Sequence, residues 1–235
     1  MAGLQELGCS FITVHDLCGM AVKRTSELKR IVDRVDKVAV IACHPRAVKW
    51  LFSMAGIKWD TEKLHVINAR NEKAENIIGN IRSWGLPGRD AGGNVTIEGG
   101  DGQWDPWFPV IDYERCENCK QCLSFCLFGV YMADENDKVE VRNPQNCKNN
   151  CPACARICPK AAIIFPKYTE VPINGSEIGN EEILREKIKV NVDEILGDDI
   201  YAALAERRKK AKKLLIKKSG TEQAELERKK FLEQE

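Results

Sequence analysis

The sequence has no apolar run approaching the roughly 18–20 residues that a bilayer-spanning helix requires, so no segment reads as a membrane span. It has no excess of either charge: 36 Lys and Arg stand against 35 Asp and Glu. Whole-molecule electrostatics therefore favour neither nucleic acid nor an anionic surface as a partner. The N-terminal stretch lacks a basic region followed by an apolar one, and it lacks a twin arginine. The chain is expected to stay in the cytoplasm, where thiols are reduced and available to metals. A dinucleotide fingerprint is missing too. Gly99-Gly-Asp-Gly102 is glycine-dense, but it follows no strong strand and opens no helix.

Cysteine is abundant and concentrated. Of the chain's 11 cysteines, most fall in two runs: Cys116-x2-Cys119-x2-Cys122-x3-Cys126 and Cys147-x3-Cys151-x2-Cys154-x3-Cys158-Pro159. A reducing compartment argues against disulfides. Zinc sites usually offer two cysteine pairs separated by a longer loop. Three closely set thiolates with a fourth three residues on suit a cubane better, three wrapping one cluster and the fourth pointing elsewhere.

With "CENCKQCLSFC" and "CKNNCPACARICP" as the carrying motifs, residues 109–166 resemble a bacterial two-[4Fe–4S] ferredoxin domain. In that family the fourth thiolate of each run ligates the other cluster. The resemblance thus implies that Cys116, Cys119, Cys122 and Cys158 hold one [4Fe–4S] cluster, and Cys147, Cys151, Cys154 and Cys126 a second. Two departures are visible: Leu127 stands where the family usually has proline, and the second run opens with three intervening residues. The enlarged loop predicts that the two clusters are not equivalent, because hydrogen bonds to sulfur tune potential. Around these runs, 129–132 and 138–141 flank a turn and read as a hairpin, and 161–165 as a returning strand.

Upstream, residues 11–14, 37–42 and 64–68 read as strands, and 26–35, 45–55 and 71–84 carry apolar residues at helical spacing. Strands alternating with helices predict βαβ units and a small parallel sheet. Ligand chemistry on such a sheet belongs at the carboxyl ends of its strands. There the sequence places Cys18 and Cys43, with His15 and His44 beside them, while Cys9 precedes the first strand. These residues read either as ordinary half-buried thiols or as a metal, cluster or redox-thiol site.

The segments "VHDLCGM" and "VAVIACHPRAVKWLFSMAGI…LHVINARNE" are similar to the N-terminal module of the flavin-containing chain of heterodisulfide reductases. That resemblance implies a third iron–sulfur cluster or metal site at Cys18 and Cys43. Its remaining ligands would come from a partner subunit, Cys9 or a histidine. It also implies an anaerobic oxidoreductase complex with a flavin or metal centre on another chain.

The expected architecture is α/β plus α+β. An α/β module (1–84) is followed by a Gly/Pro-rich linker with an aromatic cluster (85–108) and the dicluster ferredoxin-like domain (109–166). An irregular segment and a charged helical C-terminal extension (167–235) complete it. Within the extension, the basic run 207–218 reads as a solvated helix face, a docking element for an acidic partner, or a nucleic-acid contact. No aromatics for base stacking accompany it. The expected function is single-electron relay between redox partners, with no acid, base or nucleophile invoked. The rival readings are a redox enzyme using Cys18 and Cys43, and an iron–sulfur sensor that binds nucleic acid through the basic run.

Overall fold

Alternation of short strands and helices carries through the first third of the chain. A computed structural model describes residues 11–86, 95–97, 104–179 and 218–233. β1 (Ile12–Val14) leads to α1 (Leu17–Lys23), whose N-terminus is capped where Gly19 N–H donates to the Asp16 side chain at 3.1 Å. α2 (Thr25–Asp33), β2 (Val38–Ala42), α3 (Pro45–Met54), β3 (Leu64–Asn68) and α4 (Ala74–Trp84) follow. α3 opens on Pro45, where a missing N–H costs nothing, and buries Ala47, Val48, Trp50, Leu51 and Phe52. α4 stops at Gly85, whose φ of 66° is left-handed and suits a residue without a Cβ.

β2 and β3 pair in parallel across α3, with Val40 opposite Val66, which makes the expected βαβ unit. The three expected strands do not share one sheet. β1 pairs instead with β4 (Val95–Ile97), a strand inside the stretch that the sequence predicts as a linker. Two parallel two-stranded sheets replace one. α1, directly after β1, is likewise absent from the expectation.

The cysteine-rich half begins with β5 (Val110–Ile111) and α5 (Gln121–Phe125). The predicted hairpin is β6 (Tyr131–Ala133) with β7 (Val139–Val141), antiparallel, with Tyr131 opposite Val141. Then come α6 (Ala153–Arg156), β8 (Ile163–Ile164) and, further on, α7 (Lys218–Leu232). β8 returns to pair antiparallel with β5.

That two-stranded ribbon joins the halves. Successive residues of a strand point to opposite faces. The Val110–Ile164 pair belongs to a core built from α1, α2, α3 and Phe108. The Ile111–Ile163 pair belongs to a second core with Trp107, Val130, Tyr131, Val139 and Phe165. Trp107 and Phe108 divide the same way, one ring stacking on Phe165 and the other on Trp104. The aromatic cluster is therefore packing between the halves, with Trp107 and Phe108 buried.

A turn at 172–175 closes over α3 and the ribbon. Gly175 has φ +87°, and a Cβ there would meet Ala47 Cβ at 2.5 Å and Ile164 Cγ2 at 3.0 Å. Gly175→Ala combines left-handed strain with overpacking, and we expect a loss of ~3 kcal/mol. Denaturant unfolding of the full chain against wild type measures it.

Candidate metal centres

The first run curls around one end of the second core. Asn118 and Lys120, between its cysteines, have φ of 54° and 60°, and Asn150 in the second run has 59°. Left-handed residues of this kind are a component of the concave backbone N–H nests that receive anionic groups. The additional residue of the second run thus accompanies a left-handed asparagine comparable to Asn118. Asn118 also fixes the loop to the hairpin: its Nδ2 donates to Asp137 O at 2.7 Å, and its Oδ1 accepts from Val139 N–H at 2.9 Å. Lys120 pairs with Asp137.

Two chambers result. One is lined by Cys116, Cys119, Cys122 and Cys158, with Ile111, Val139, Ala162 and Ile163 among its apolar walls. The other is lined by Cys126, Cys147, Cys151 and Cys154, with Pro109, Phe125, Val130 and Tyr131. The fourth cysteine of each run crosses over: Cys158 lies with the first three of the earlier run, and Cys126 with those of the later.

The electrostatics follow the same division. Burial first, then Cys158, Cys116 and Cys119, together push the Cys122 thiol up to about 12. Cys147 is raised by burial, then by Cys151 and Cys126. Cys154 is raised by burial and next by Cys147. Four thiolates so placed repel one another unless a positive core lies between them. An iron–sulfur core supplies that charge, and thiolate is the donor it prefers. The residues present fit the group.

The chambers differ in what reaches their sulfurs. Ala162 N–H donates to Cys158 Sγ at 3.3 Å in the first. In the second, the Tyr131 hydroxyl donates to Cys154 Sγ at 3.1 Å. Exposure differs too: Cys119 is exposed, whereas Cys151 and Cys154 are buried. Sequence reasoning missed Tyr131 as a sulfur partner. Its place two residues beyond Gly129, at the start of an apolar strand, carried no sign that its hydroxyl would meet a thiol.

In the first half of the chain, Cys18 lies in the first turn of α1 and Cys43 just before α3. Burial pushes Cys18 up to about 12, Asp16 and Cys43 adding to the rise while Lys167 and Arg70 oppose it. The two thiols thus come within electrostatic reach of each other. His44 is buried, its Nδ1 3.0 Å from Asn68 Nδ2, and burial lowers its basicity. His15 is exposed, and Cys9 and the basic run through residue 217 lie outside the described residues. Among the described residues, no three His, Cys, Asp or Glu side chains are arranged around a single ion.

The segment 166–168 borders that thiol pair. Arg70 donates to Pro166 O and Tyr168 O at 3.3 and 3.2 Å, and Lys167 bridges Asp16 and Asp105 at 3.0 Å each. The edge of the parallel pair β2–β3 and the cysteine-rich half therefore meet at Cys18 and Cys43.

Two apolar chambers walled by four thiols each define an iron–sulfur protein of the two-centre kind. Residues 108–191 match the family model of the 4Fe-4S dicluster domain. An uncharacterized ferredoxin of Methanocaldococcus jannaschii is 56% identical over 61 residues, which are 26% of this chain and 41% of that protein. Pyruvate synthase subunit PorD of the same organism is 34% identical over 65 residues, covering 26% of this chain and 76% of PorD. The chain belongs to the dicluster [4Fe–4S] ferredoxin family. Its residues 108–191 form a ferredoxin-like domain of the 4Fe-4S dicluster type. No helix among the described residues is long and apolar enough to cross a membrane.

Proposed function

We propose that the chain relays single electrons between two redox partners through a pair of [4Fe–4S] clusters, as one component of an oxidoreductase complex. Cys116, Cys119, Cys122 and Cys158 hold the first, and Cys126, Cys147, Cys151 and Cys154 the second. The observation that carries this reading is the crossed sorting of the eight cysteines into two chambers. When bound, each cluster accepts and passes on one electron. The chain's own side chains do the rest. Val130, Val139, Ile163 and Phe165 exclude water from the second core, and Tyr131 and the Ala162 amide donate to sulfur. Such hydrogen bonds stabilise the extra negative charge of the reduced state and so set the potentials apart.

Similarity to PorD, a pyruvate synthase subunit, supports membership in a complex. The likeness of the first module to the flavin-containing chain of heterodisulfide reductases supports a flavin-containing partner in an anaerobic setting. The nearness of Cys18 to Cys43 favours a further redox site at that edge, completed by a residue of a partner. A module boundary near 108 and residence in the cytoplasm belong to the same reading.

Anaerobic purification followed by iron and acid-labile sulfide analysis tests it. About eight of each per chain, with a coupled two-cluster EPR signal on reduction, is the expected result. About twelve would extend the relay to Cys18 and Cys43. Zinc in place of iron would end the proposal.

A further inference from the structure

α7 lies far along the chain from the cysteine runs, yet it packs on α6 beside the second chamber. Ala224 is fully buried against Cys151, Ala153 and Ile157. Glu227 accepts two hydrogen bonds from Arg156 Nε, at 2.8 and 3.0 Å. Arg156 in turn holds Glu170 and the Tyr168 hydroxyl, so the helix is fastened to the ferredoxin domain through one guanidinium. One turn of contact is apolar and the next is ionic.

Arg228 is the residue that this docking delivers. Its guanidinium carbon lies 4.7 Å from the Phe125 ring centroid, and Nη1 donates to Phe125 O at 3.4 Å. It forms part of the wall of the second chamber together with the four cysteines. The acid beside it on the helix, Glu227, is engaged by Arg156. At the rim of the first chamber the charges are paired with each other, Glu117 with Lys160 and Lys120 with Asp137.

Resting on the two-cluster reading above, we propose that α7 is a cationic cover for the second cluster. Arg228 favours the reduced, more negative state and raises that cluster's potential above the first, and the helix screens it from solvent. Electrons then enter at the first chamber, where Cys119 is exposed, and pass downhill to the covered one. A cation in a low-dielectric wall acts strongly on a charge change beside it, which is why one side chain suffices.

The test is an EPR-monitored redox titration of the full, cluster-loaded chain. Wild type should show two reduction steps. In Arg228→Gln the step at higher potential moves to lower potential and the other stays, while Arg228→Lys keeps most of the separation. Ala224→Phe, which levers the helix away without altering charge, should speed release of half of the iron to a chelator. An unmoved higher step, an equal movement of both steps, or unchanged iron release in Ala224→Phe overturns the proposal. Wild type that fails to load two clusters overturns the two-cluster reading and this inference together, so the two failures are told apart by the wild-type control.

Discussion

Cys158→Ser empties the chamber of Cys116, Cys119 and Cys122, although Cys158 belongs to the other sequence run. Cys126→Ser does the converse. Each single variant should keep about four irons, and the informative comparison is between double variants. Cys116→Ser with Cys158→Ser removes two ligands of one cluster and should lose no more iron than either change alone. Cys147→Ser with Cys158→Ser removes one ligand from each and should leave almost none. If each run instead held its own cluster, the two results would exchange places. Iron analysis and EPR on anaerobically loaded protein read the difference directly. The large effect follows from the site itself: losing a thiolate exposes iron in a chamber with apolar walls and no fifth cysteine among the residues lining it.

The cysteine spacing made the chambers legible because cluster ligation is a local pattern closed by one long-range exchange. The helices α2, α3 and α4 were legible for a similar reason, since their apolar stripes recur within a single turn. Strand pairing was not. β1 and β4 are three residues each, and nothing in Val95–Ile97 marks it as the partner of Ile12–Val14 rather than a loop between glycines. Pairing of short strands is decided by what else the chain buries. Trp107 and Phe108 could be flagged as aromatic, but their division between two cores depends on β5 being a ribbon with two covered faces. Arg228 lies in a run of charges whose pattern is that of a solvated helix. Only the buried Ala224 one turn earlier distinguishes the side that docks.

Arg46→Ala should produce the largest loss from outside the cysteine runs. In sequence, Arg46 follows a helix-opening proline. In the fold its side chain is only 13% exposed, and Nε donates to Asp112 Oδ2 at 2.6 Å. Nη2 donates to Ala161 O at 2.5 Å. Asp112 O accepts the amide of Cys116 at 3.0 Å, and the residue after Ala161 donates to Cys158 Sγ. One guanidinium from the α/β half thus holds the backbone on both sides of the first chamber and none of the second. Removing it strands the Asp112 carboxylate, 3% exposed, which costs ~3–5 kcal/mol when a buried pair loses one member. Unfolding of the full chain in denaturant should show that loss. The EPR signal and iron of the first cluster should weaken while those of the second persist. Arg46→Lys should recover little, because an ammonium cannot supply the planar fork that reaches Asp112 and Ala161 together. Arg46→Met with Asp112→Asn should restore much of the stability, because no buried charge is then left unpaired. It should not restore the first cluster's signal, because the bond to Ala161 is still missing. That split separates a residue that merely balances charge from one that positions the ligands of a single cluster.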